Sequence, residues 1–360
     1  MNNHINAIND ELQKKKINTA LLLWYDSHAR DLPWRIPPSK SISGLKQDPY
    51  KVWLSEIMLQ QTTVATVIPY FNKFTAQWKN IEELAKAREN KIMEAWAGLG
   101  YYSRARNLIK CSHLIFERYD SIFPKQKEEL LKLPGVGPYT AAAIQSIAFG
   151  QKATVIDGNI ERIIVRLYTL LKPVKYLKTE IKNIAASLTP EKRCGDYAQS
   201  LMDLGATICT PKKPKCDACP INSYCSSYGK GIEDLLPSKI SQSCKVTRYG
   251  YAFVAITSDY KLVMERRPPK GLLGGMLSFP CSEWPQADFP KFIPPFFADW
   301  TVQNQVVTHK FTHFELKLRV AISYISTLPD GFLSNSIDNF DSSKLPSLMR
   351  KVYVLAKNCM

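Results

Sequence analysis

The sequence of 360 residues has no apolar stretch long enough to cross a bilayer, which takes about 20 consecutive apolar residues. Its polar start, MNNHINAINDELQKKK, has no apolar core of the length that a secretory signal peptide needs. The sequence also has no internal repeat or low-complexity tract. We therefore expect an intracellular, cytoplasmic protein with no membrane partner, and its length suits two domains of ordinary size.

Acidic side chains are the scarcer charge, with 32 Asp and Glu against 48 Lys and Arg, a formal net charge of +16. The positive excess is present both before and after residue 225, so a basic tail does not account for it. Positive charge spread over a folded chain favours a partner of opposite sign, and nucleic acid is the leading candidate. Charge alone leaves that interpretation open, because many basic proteins bind no nucleic acid.

Helical patterning fills the first part of the chain and strand-like alternation the last. Before residue 225, apolar residues return at three- and four-residue steps in VWLSEIMLQQTTVATVIPYFNKF, NKIMEAWAGL, SRARNLIKCSHLIFERY and NIERIIVRLYTLL. Further on, RYGYAFVAITSDYKLVMERR and QVVTHKFTHFELKLRVAISYI alternate with the period of two typical of strands. The pattern predicts a helical domain over residues 1–225, a connector over 226–245 and a smaller β-rich domain over 246–360.

The chain contains nine cysteines, and a reducing compartment disfavours disulfides between them. Cys209, Cys216, Cys219 and Cys225 fall within residues 209–225, where prolines favour a loop over a helix. Thiolates in one loop can converge on one metal centre. The spacing leaves zinc and an iron–sulfur cluster open, because four cysteines suit both and only one CxxC is present.

The stretch KEELLKLPGVGPYTAAAIQSIAF predicts a helix, a tight turn and a second helix. We expect Pro134 to end the first helix, Gly135 and Gly137 to permit positive φ, and Pro138 to open the second helix. Amide groups exposed at such a helix start can hold a phosphate oxygen without reading base sequence. A plain helix–helix corner is the alternative, and the basic chain favours phosphate binding.

Several stretches together resemble the MutY-type adenine DNA glycosylases of the helix–hairpin–helix, endonuclease III-like superfamily. They are LPGVGPYT, WLSEIMLQQT, GLGYYSRARN, VIDGNIERI and the cysteine loop, and RRPPKGLLGGMLSFP and HKFTHF extend the similarity into the last part of the chain. The resemblance implies a multi-domain α plus α+β protein, with an all-helical glycosylase domain followed by a MutT/Nudix-like domain. It also implies a 4Fe-4S cluster on the four loop cysteines, with Lys212, Lys213 and Lys215 presented to DNA.

Glu56 lies among Leu54, Ile57, Met58 and Leu59. If these side chains exclude water, the pKa of the Glu56 carboxyl rises towards a value useful for a general acid at neutral pH. On its own, a Glu in such a helix is more often exposed. The resemblance nevertheless makes Glu56 the acid that protonates adenine at N7, so that the base leaves uncharged.

Asp157 stands before a helical stretch and fits an N-cap, the better interpretation of the local sequence. A capped carboxylate can also stabilise the positive charge that grows on a sugar as its base departs. The resemblance gives Asp157 that second role, covalent or electrostatic, with Asn159 and Tyr139 nearby. Tyr139 stands where the related endonuclease III enzymes carry a lysine. A phenol cannot form an imine, so a monofunctional glycosylase that leaves the strand intact is expected.

The resemblance also implies contacts with DNA at further positions. Base flipping would involve Gln61, Thr62, Leu99 and Tyr101. The adenine pocket would include Arg30, Arg35 and Gln199. Recognition of 8-oxoguanine would involve Phe311, Thr312 and His313. Residues 36–47 form a longer insertion than the family usually carries, and their role stays open. The implied function is removal of adenine mispaired with 8-oxoguanine or guanine from double-stranded DNA, by a monomer associated with the nucleoid in a bacterial cell. A T:G or oxidised-pyrimidine glycosylase of the same superfamily is the alternative.

The charge leads to a first prediction. Binding to duplex DNA should weaken as salt is added, in proportion to the number of phosphate contacts, because each contact releases counterions. The measurement is a titration of fluorescent duplex at several salt concentrations. An affinity that does not change with salt would contradict the inference from charge.

Overall fold

The computed structural model describes residues 11–238, 246–268, 271–311, 313–342 and 345–359. The chain divides into two compact units, residues 1–240 and 241–360. No helix in these described ranges is long and apolar enough to span a membrane. The α-helices of the first unit are α1 (Glu11–His28), α2 (Pro38–Ile42), α3 (Pro49–Leu59), α4 (Val64–Gln77), α5 (Ile81–Ala85), α6 (Glu89–Trp96), α7 (Tyr102–Arg118), α8 (Lys127–Leu130), α9 (Pro138–Ala143), α10 (Gly158–Leu167), α11 (Lys178–Leu188) and α12 (Cys194–Thr207).

The apolar stretch after residue 52, which is one continuous pattern in the sequence, forms two helices. Gln61 follows α3 with a φ of +56°, a left-handed conformation that ends the helix. Thr63 then caps α4, its hydroxyl accepting a hydrogen bond from Thr66 N at 3.4 Å. The break leaves Gln61 exposed just beyond the helix that carries Glu56.

Two apolar cores hold the first unit together. Trp53, Leu54 and Ile57 of α3 belong to one core, which they share with α4, α6 and α7. Ile160 and Ile163 of α10 belong to the other, which they share with α11 and α12. The helix of Glu56 and the helix capped by Asp157 are therefore anchored in different cores.

The helix–turn–helix stretch differs in detail from the expectation. The first helix, α8, ends at Leu130, before Pro134, and a turn fills the gap. Gly135 has a φ of +80°, whereas Gly137 has a φ of −93° and a ψ of −179°, extended backbone that any residue adopts. The expectation of positive φ was therefore wrong for Gly137. The second helix, α9, begins at Pro138 and continues as a π-helical turn, Ile144–Ala148.

The expected connector belongs in its first half to the helical unit. Ser226 N donates to Leu167 O at 3.0 Å, and Arg166 Nε donates to Leu236 O at 3.0 Å. Leu236 is 4% exposed and part of the second core. Residues 226–238 therefore pack on α10 and its end, and residues 239–245 lie outside the described ranges.

A mixed sheet forms the second unit. Its strands are β1 (Val246–Thr257), β2 (Lys261–Arg266), β3 (Leu277–Ser278), β4 (Thr301–Lys310), β5 (Phe314–Ile325) and β6 (Leu333–Ser336). The order is β3-β2-β1-β5-β4, with β6 beside β2; β1 and β5 pair in parallel along their full length, and the other pairs are antiparallel. Helix α13 (Ser347–Lys357) packs Leu348, Met349 and Val352 into the core that the sheet shares. Helix and sheet together make this unit α+β.

Arg104 of α7 fixes the polypeptide beyond the end of α3. Its side chain is 7% exposed and donates to the carbonyl oxygens of Met58 at 2.7 Å and Leu99 at 3.1 Å, and to Thr62 Oγ1 at 3.0 Å. Its guanidinium carbon also lies 5.3 Å from the centre of the Trp96 ring. The buried Arg104 guanidinium thus links the loop that contains Thr62 to the loop that contains Leu99.

Arg104→Met should lower the free energy of unfolding by about 3 kcal/mol, because it leaves buried carbonyl groups without donors. Chemical denaturation measures the change. Lys110→Met on the same helix removes an exposed cation and should change the stability by less than about 0.5 kcal/mol. Equal effects of the two substitutions would show that the network does not hold the loops.

Candidate active site

One cavity of about 290 Å³ in the helical unit collects most of the catalytic and pocket residues singled out from the sequence. It receives side chains from α3, from the start of α9, from α12 and from the segment before α2. The predicted residues that line it are Arg30, Arg35, Glu56, Thr62, Tyr139, Asp157, Asn159 and Gln199. Positions far apart in the chain are thus brought to one concave site, the usual form of a small-molecule or base pocket.

Glu56 is 6% exposed, and burial raises the pKa of its carboxyl to about 7. A hydrogen bond with Tyr139 and the positive charge of Arg35 lower this pKa, while the negative charge of Asp157 raises it. Desolvation is the largest of these effects, because a charged carboxylate loses its hydration in the cavity. Near neutral pH the carboxyl can therefore both donate and accept a proton.

Asp157 is the N-cap of α10, as its sequence position indicated. Its Oδ1 accepts from Ile160 N at 2.7 Å and its Oδ2 accepts from Asn159 Nδ2 at 3.0 Å. Asn159 Oδ1 in turn accepts from Arg162 Nη2 at 2.8 Å. The close approach of α12 requires Gly205, because a Cβ there would lie 2.5 Å from Asn159 Cβ. The carboxylate is therefore held in one orientation beside the cavity.

The two arginines of the cavity share one buried carboxylate, which the sequence analysis missed. Asp203, whose side chain is fully buried, accepts from Arg30 Nε at 2.6 Å and from Arg35 Nη1 at 2.8 and 2.9 Å. A signal was present, because Asp203 follows Gln199 by four residues, one helical turn, and so lies on the same face of α12. Asp203 fixes both guanidinium groups at the edge of the cavity.

The insertion over residues 36–47 also reaches the cavity. It forms α2 and ends at Gln47, a buried side chain in the cavity wall. Gln47 Nε2 donates to Gln199 Oε1 at 3.2 Å. Sequence reasoning left this residue out, because no periodic pattern distinguishes it from the polar loop around it.

The four loop cysteines line a second cavity, of about 30 Å³. Four thiols around one cavity are the donor set that holds a multi-iron cluster. Arg166 Nη1 donates to Cys209 Sγ at 3.3 Å, and Arg162 Nε donates to Cys209 O at 2.8 Å. The arrangement therefore fits an iron–sulfur cluster.

The residues expected to contact opened DNA differ in exposure. Tyr101 is 55% exposed and Gln61 is exposed, whereas Thr62 is half-buried and accepts from Arg104. Leu99 is only 5% exposed and packs in the first core, so its side chain is not at the surface in this conformation. The basic residues Lys212, Lys213 and Lys215 of the cysteine loop are all exposed.

In the second unit, two of the three predicted reading residues are described. Phe311 is half-buried, with its ring centre 4.8 Å from that of Phe314 and 6.4 Å from that of Trp284. His313 is exposed, and Thr312 lies outside the described residues. The Phe311 ring, directly after β4, thus packs within an aromatic cluster.

The buried carboxyl gives a prediction about stability. The pKa of Glu56 is near 4.5 in the unfolded chain and about 7 when folded. Between these values the folded state keeps a proton that the unfolded state releases, so wild-type stability falls as pH rises through this window. Glu56→Gln removes the titration, and its stability relative to wild type should rise by at most about 3 kcal/mol between pH 4.5 and 8. Urea denaturation at several pH values tests this, with Glu180→Gln at an exposed site as the matched control. A difference that is constant with pH would contradict the assignment.

Comparison with known families divides the chain in the same way as the structure. Residues 54–187 match the HhH-GPD superfamily of base excision DNA repair proteins. Residues 209–225 match the iron–sulfur binding domain of endonuclease III, and residues 251–354 match the NUDIX domain. The cysteine loop is therefore an iron–sulfur site, and the question of zinc that the spacing left open is decided against zinc.

Individual relatives point to the same family. An adenine DNA glycosylase of Buchnera aphidicola subsp. Baizongia pistaciae is 36% identical over 72% of this chain and 72% of its own. The human adenine DNA glycosylase is 31% identical over 93% of this chain and 72% of its own. A solved structure of a thermostable thymine-DNA glycosylase is 32% identical, with a TM-score of 0.53, and covers 61% of this chain and 98% of its own. The chain therefore belongs to the adenine DNA glycosylases, base excision repair enzymes that hydrolyse N-glycosyl bonds.

Proposed function

We propose that the protein removes adenine mispaired with 8-oxoguanine or guanine from double-stranded DNA and leaves the strand intact. The observation that carries the proposal is the cavity that brings Glu56, with a pKa of about 7, beside the capped carboxylate of Asp157. Two carboxyl groups in different environments supply an acid and an anion, the pair that cleavage of a sugar–base bond needs. The family relationship supports adenine as the base.

In the proposed first step, Glu56 in its protonated form gives its proton to a ring nitrogen of the extruded adenine. The bond between the sugar C1′ and the base then breaks, and its electron pair leaves with an uncharged adenine. The sugar is left with positive charge, which the Asp157 carboxylate stabilises. Asn159 contributes by holding that carboxylate in place through its 3.0 Å hydrogen bond.

In the second step, the Glu56 carboxylate accepts a proton from water while the water oxygen bonds to C1′. This returns Glu56 to its protonated form and completes the hydrolysis. Tyr139 donates a hydrogen bond to Glu56 and has no amine with which to form a Schiff base. The product is therefore an abasic site in an unbroken strand.

The adenine has to leave the duplex before it can enter the cavity. We propose that exposed Gln61 and Tyr101 contact the opened duplex, together with Thr62, and that Leu99 does so only if its side chain moves out of the core. Backbone near Gly135 and Gly137 would contact phosphate oxygens. The four cysteines would hold the 4Fe-4S cluster, which would give the basic Lys212–Lys215 loop a fixed scaffold.

We propose that the NUDIX unit selects the base opposite adenine. The proposal is supported by the packing of Phe311 against Phe314 and Trp284 and by the exposure of the polar His313 side chain. We propose that Phe311, Thr312 and His313 together recognise 8-oxoguanine. The protein would act as a monomer in the cytoplasm, or on the nucleoid in a bacterial cell.

A second candidate, removal of thymine from T:G pairs, is favoured by the similarity to the thymine-DNA glycosylase structure. The similarity covers 98% of that protein and 61% of this chain. The human adenine DNA glycosylase matches 93% of this chain, a larger share, and supports the adenine proposal instead.

The proposal is tested with duplexes that contain A:8-oxoguanine, A:G, A:T or T:G. We expect release of adenine from the first two, fastest opposite 8-oxoguanine, with strand breaks only after alkali. Glu56→Gln should bind the A:8-oxoguanine duplex and lose at least about a hundredfold in single-turnover rate, while Glu180→Gln keeps its rate. Release from T:G without release from A:8-oxoguanine would favour the second candidate. Equal rates on A:T and A:8-oxoguanine would refute the reading of the opposite base.

A further inference from the structure

We propose that Gln47 selects the base: its amide oxygen accepts a hydrogen bond from the exocyclic amine of the extruded adenine, while its nitrogen holds Gln199 in position. The inference rests on the proposed function and deepens it. It also gives the insertion over residues 36–47 a role, since Gln47 is the residue by which that segment enters the cavity.

The insertion is fastened to both helices that frame the cavity. Ser41 Oγ donates to Asp196 Oδ2 at 3.1 Å, near the start of α12, the helix that also carries Gln199. At the other end, Gln47 directly precedes Asp48, the residue that caps α3 through Tyr50 N at 2.9 Å. The backbone of Gln47 is therefore tied to the helix of Glu56, and its side chain to the helix of Gln199.

The hydrogen bonds of Gln47 leave one polar atom unused inside the cavity wall. Gln47 and Gln199 are 7% and 2% exposed, and Gln47 Nε2 donates to Gln199 Oε1 at 3.2 Å. Gln47 Oε1 is buried and has no partner among the described residues. A buried amide oxygen without a donor is costly, so a residue that only filled space here would be better replaced by an apolar side chain. Because Gln47 lines the cavity, a donor on the molecule that occupies it would satisfy this oxygen.

Adenine carries such a donor in its exocyclic amine. A flipped base is commonly recognised by hydrogen bonds to its exposed edge, and an amide oxygen is a suitable acceptor for an amine. Gln47 is also uncharged, so it can contact the base without adding to the charges around Glu56. We therefore assign the ring nitrogen of the base to Glu56 and its amine to Gln47, two residues that line the same cavity.

The test compares two substrates that differ only in this amine. Adenine or unsubstituted purine is placed opposite 8-oxoguanine in the same duplex, and single-turnover rates are measured for wild type and Gln47→Met, which keeps the side-chain length. We expect the variant to be about ten- to a hundredfold slower on adenine and within about twofold of wild type on purine. Ser41→Ala, in the same insertion and outside the cavity wall, should leave the ratio of the two rates unchanged.

Equal slowing of Gln47→Met on both substrates would overturn the contact with the amine, because a merely structural role does not distinguish them. An unchanged rate on adenine would overturn it as well. If wild type released neither base, the proposed function itself would fail, which is a different result. If Gln47→Met did not fold, Gln47→Asn, which keeps the amide but withdraws it by one methylene, would be compared on the same pair of substrates.

Discussion

Removal of one carboxyl group from water is the constraint on which the active site depends. Glu56 has a pKa of about 7 because α3 is anchored by Trp53 and Leu54 in an apolar core and carries the carboxyl into a cavity rather than to the surface. A group that is half protonated at neutral pH can pass a proton in either direction. The ion pairs of Asp203 and the hydrogen bonds of Asp157 fix the other charged groups of the site and leave no unpaired charge on these side chains in the cavity wall.

The charged side chains near Glu56 are held by ion pairs and hydrogen bonds. Asp203 takes the hydrogen bonds of both Arg30 and Arg35, so the edge of the cavity carries two cations and one anion in fixed positions. Asp157 is held by backbone and by Asn159, and α12 meets α10 closely because Gly205 has no Cβ. Buried charges with partners cost far less than unpaired ones, and their geometry is better defined.

The fold class could be predicted from local patterns in the sequence, whereas most of the pocket residues were identified through the resemblance to a known family. Periodicity separated helices from strands, and the local sequence around Asp157 predicted its capping. The local sequence around Glu56 favoured an exposed side chain, and only the family resemblance pointed to its role in the site. The break at Gln61 was missed, since apolar spacing continues across it and only the left-handed backbone ends the helix. Asp203 and Gln47 were missed for another reason. Their partners lie more than 150 residues away in the chain. The spacing of Asp203 from Gln199 indicates a shared helix face, but no local pattern identifies the distant residues with which Asp203 and Gln47 pair.

Part of the positive charge behind the net value of +16 is carried by buried guanidinium groups and is not available at the surface. Arg104, Arg162 and Arg166 are 7%, 8% and 2% exposed. Each of them donates a hydrogen bond to a backbone carbonyl oxygen inside the helical unit. Those guanidinium groups stabilise the interior of the helical unit. Few of their N–H donors would be available to a polyanion bound at the surface. Contacts with a phosphate backbone therefore depend mainly on lysines, whose flexible ammonium groups act as point charges rather than as rigid, two-pronged donors.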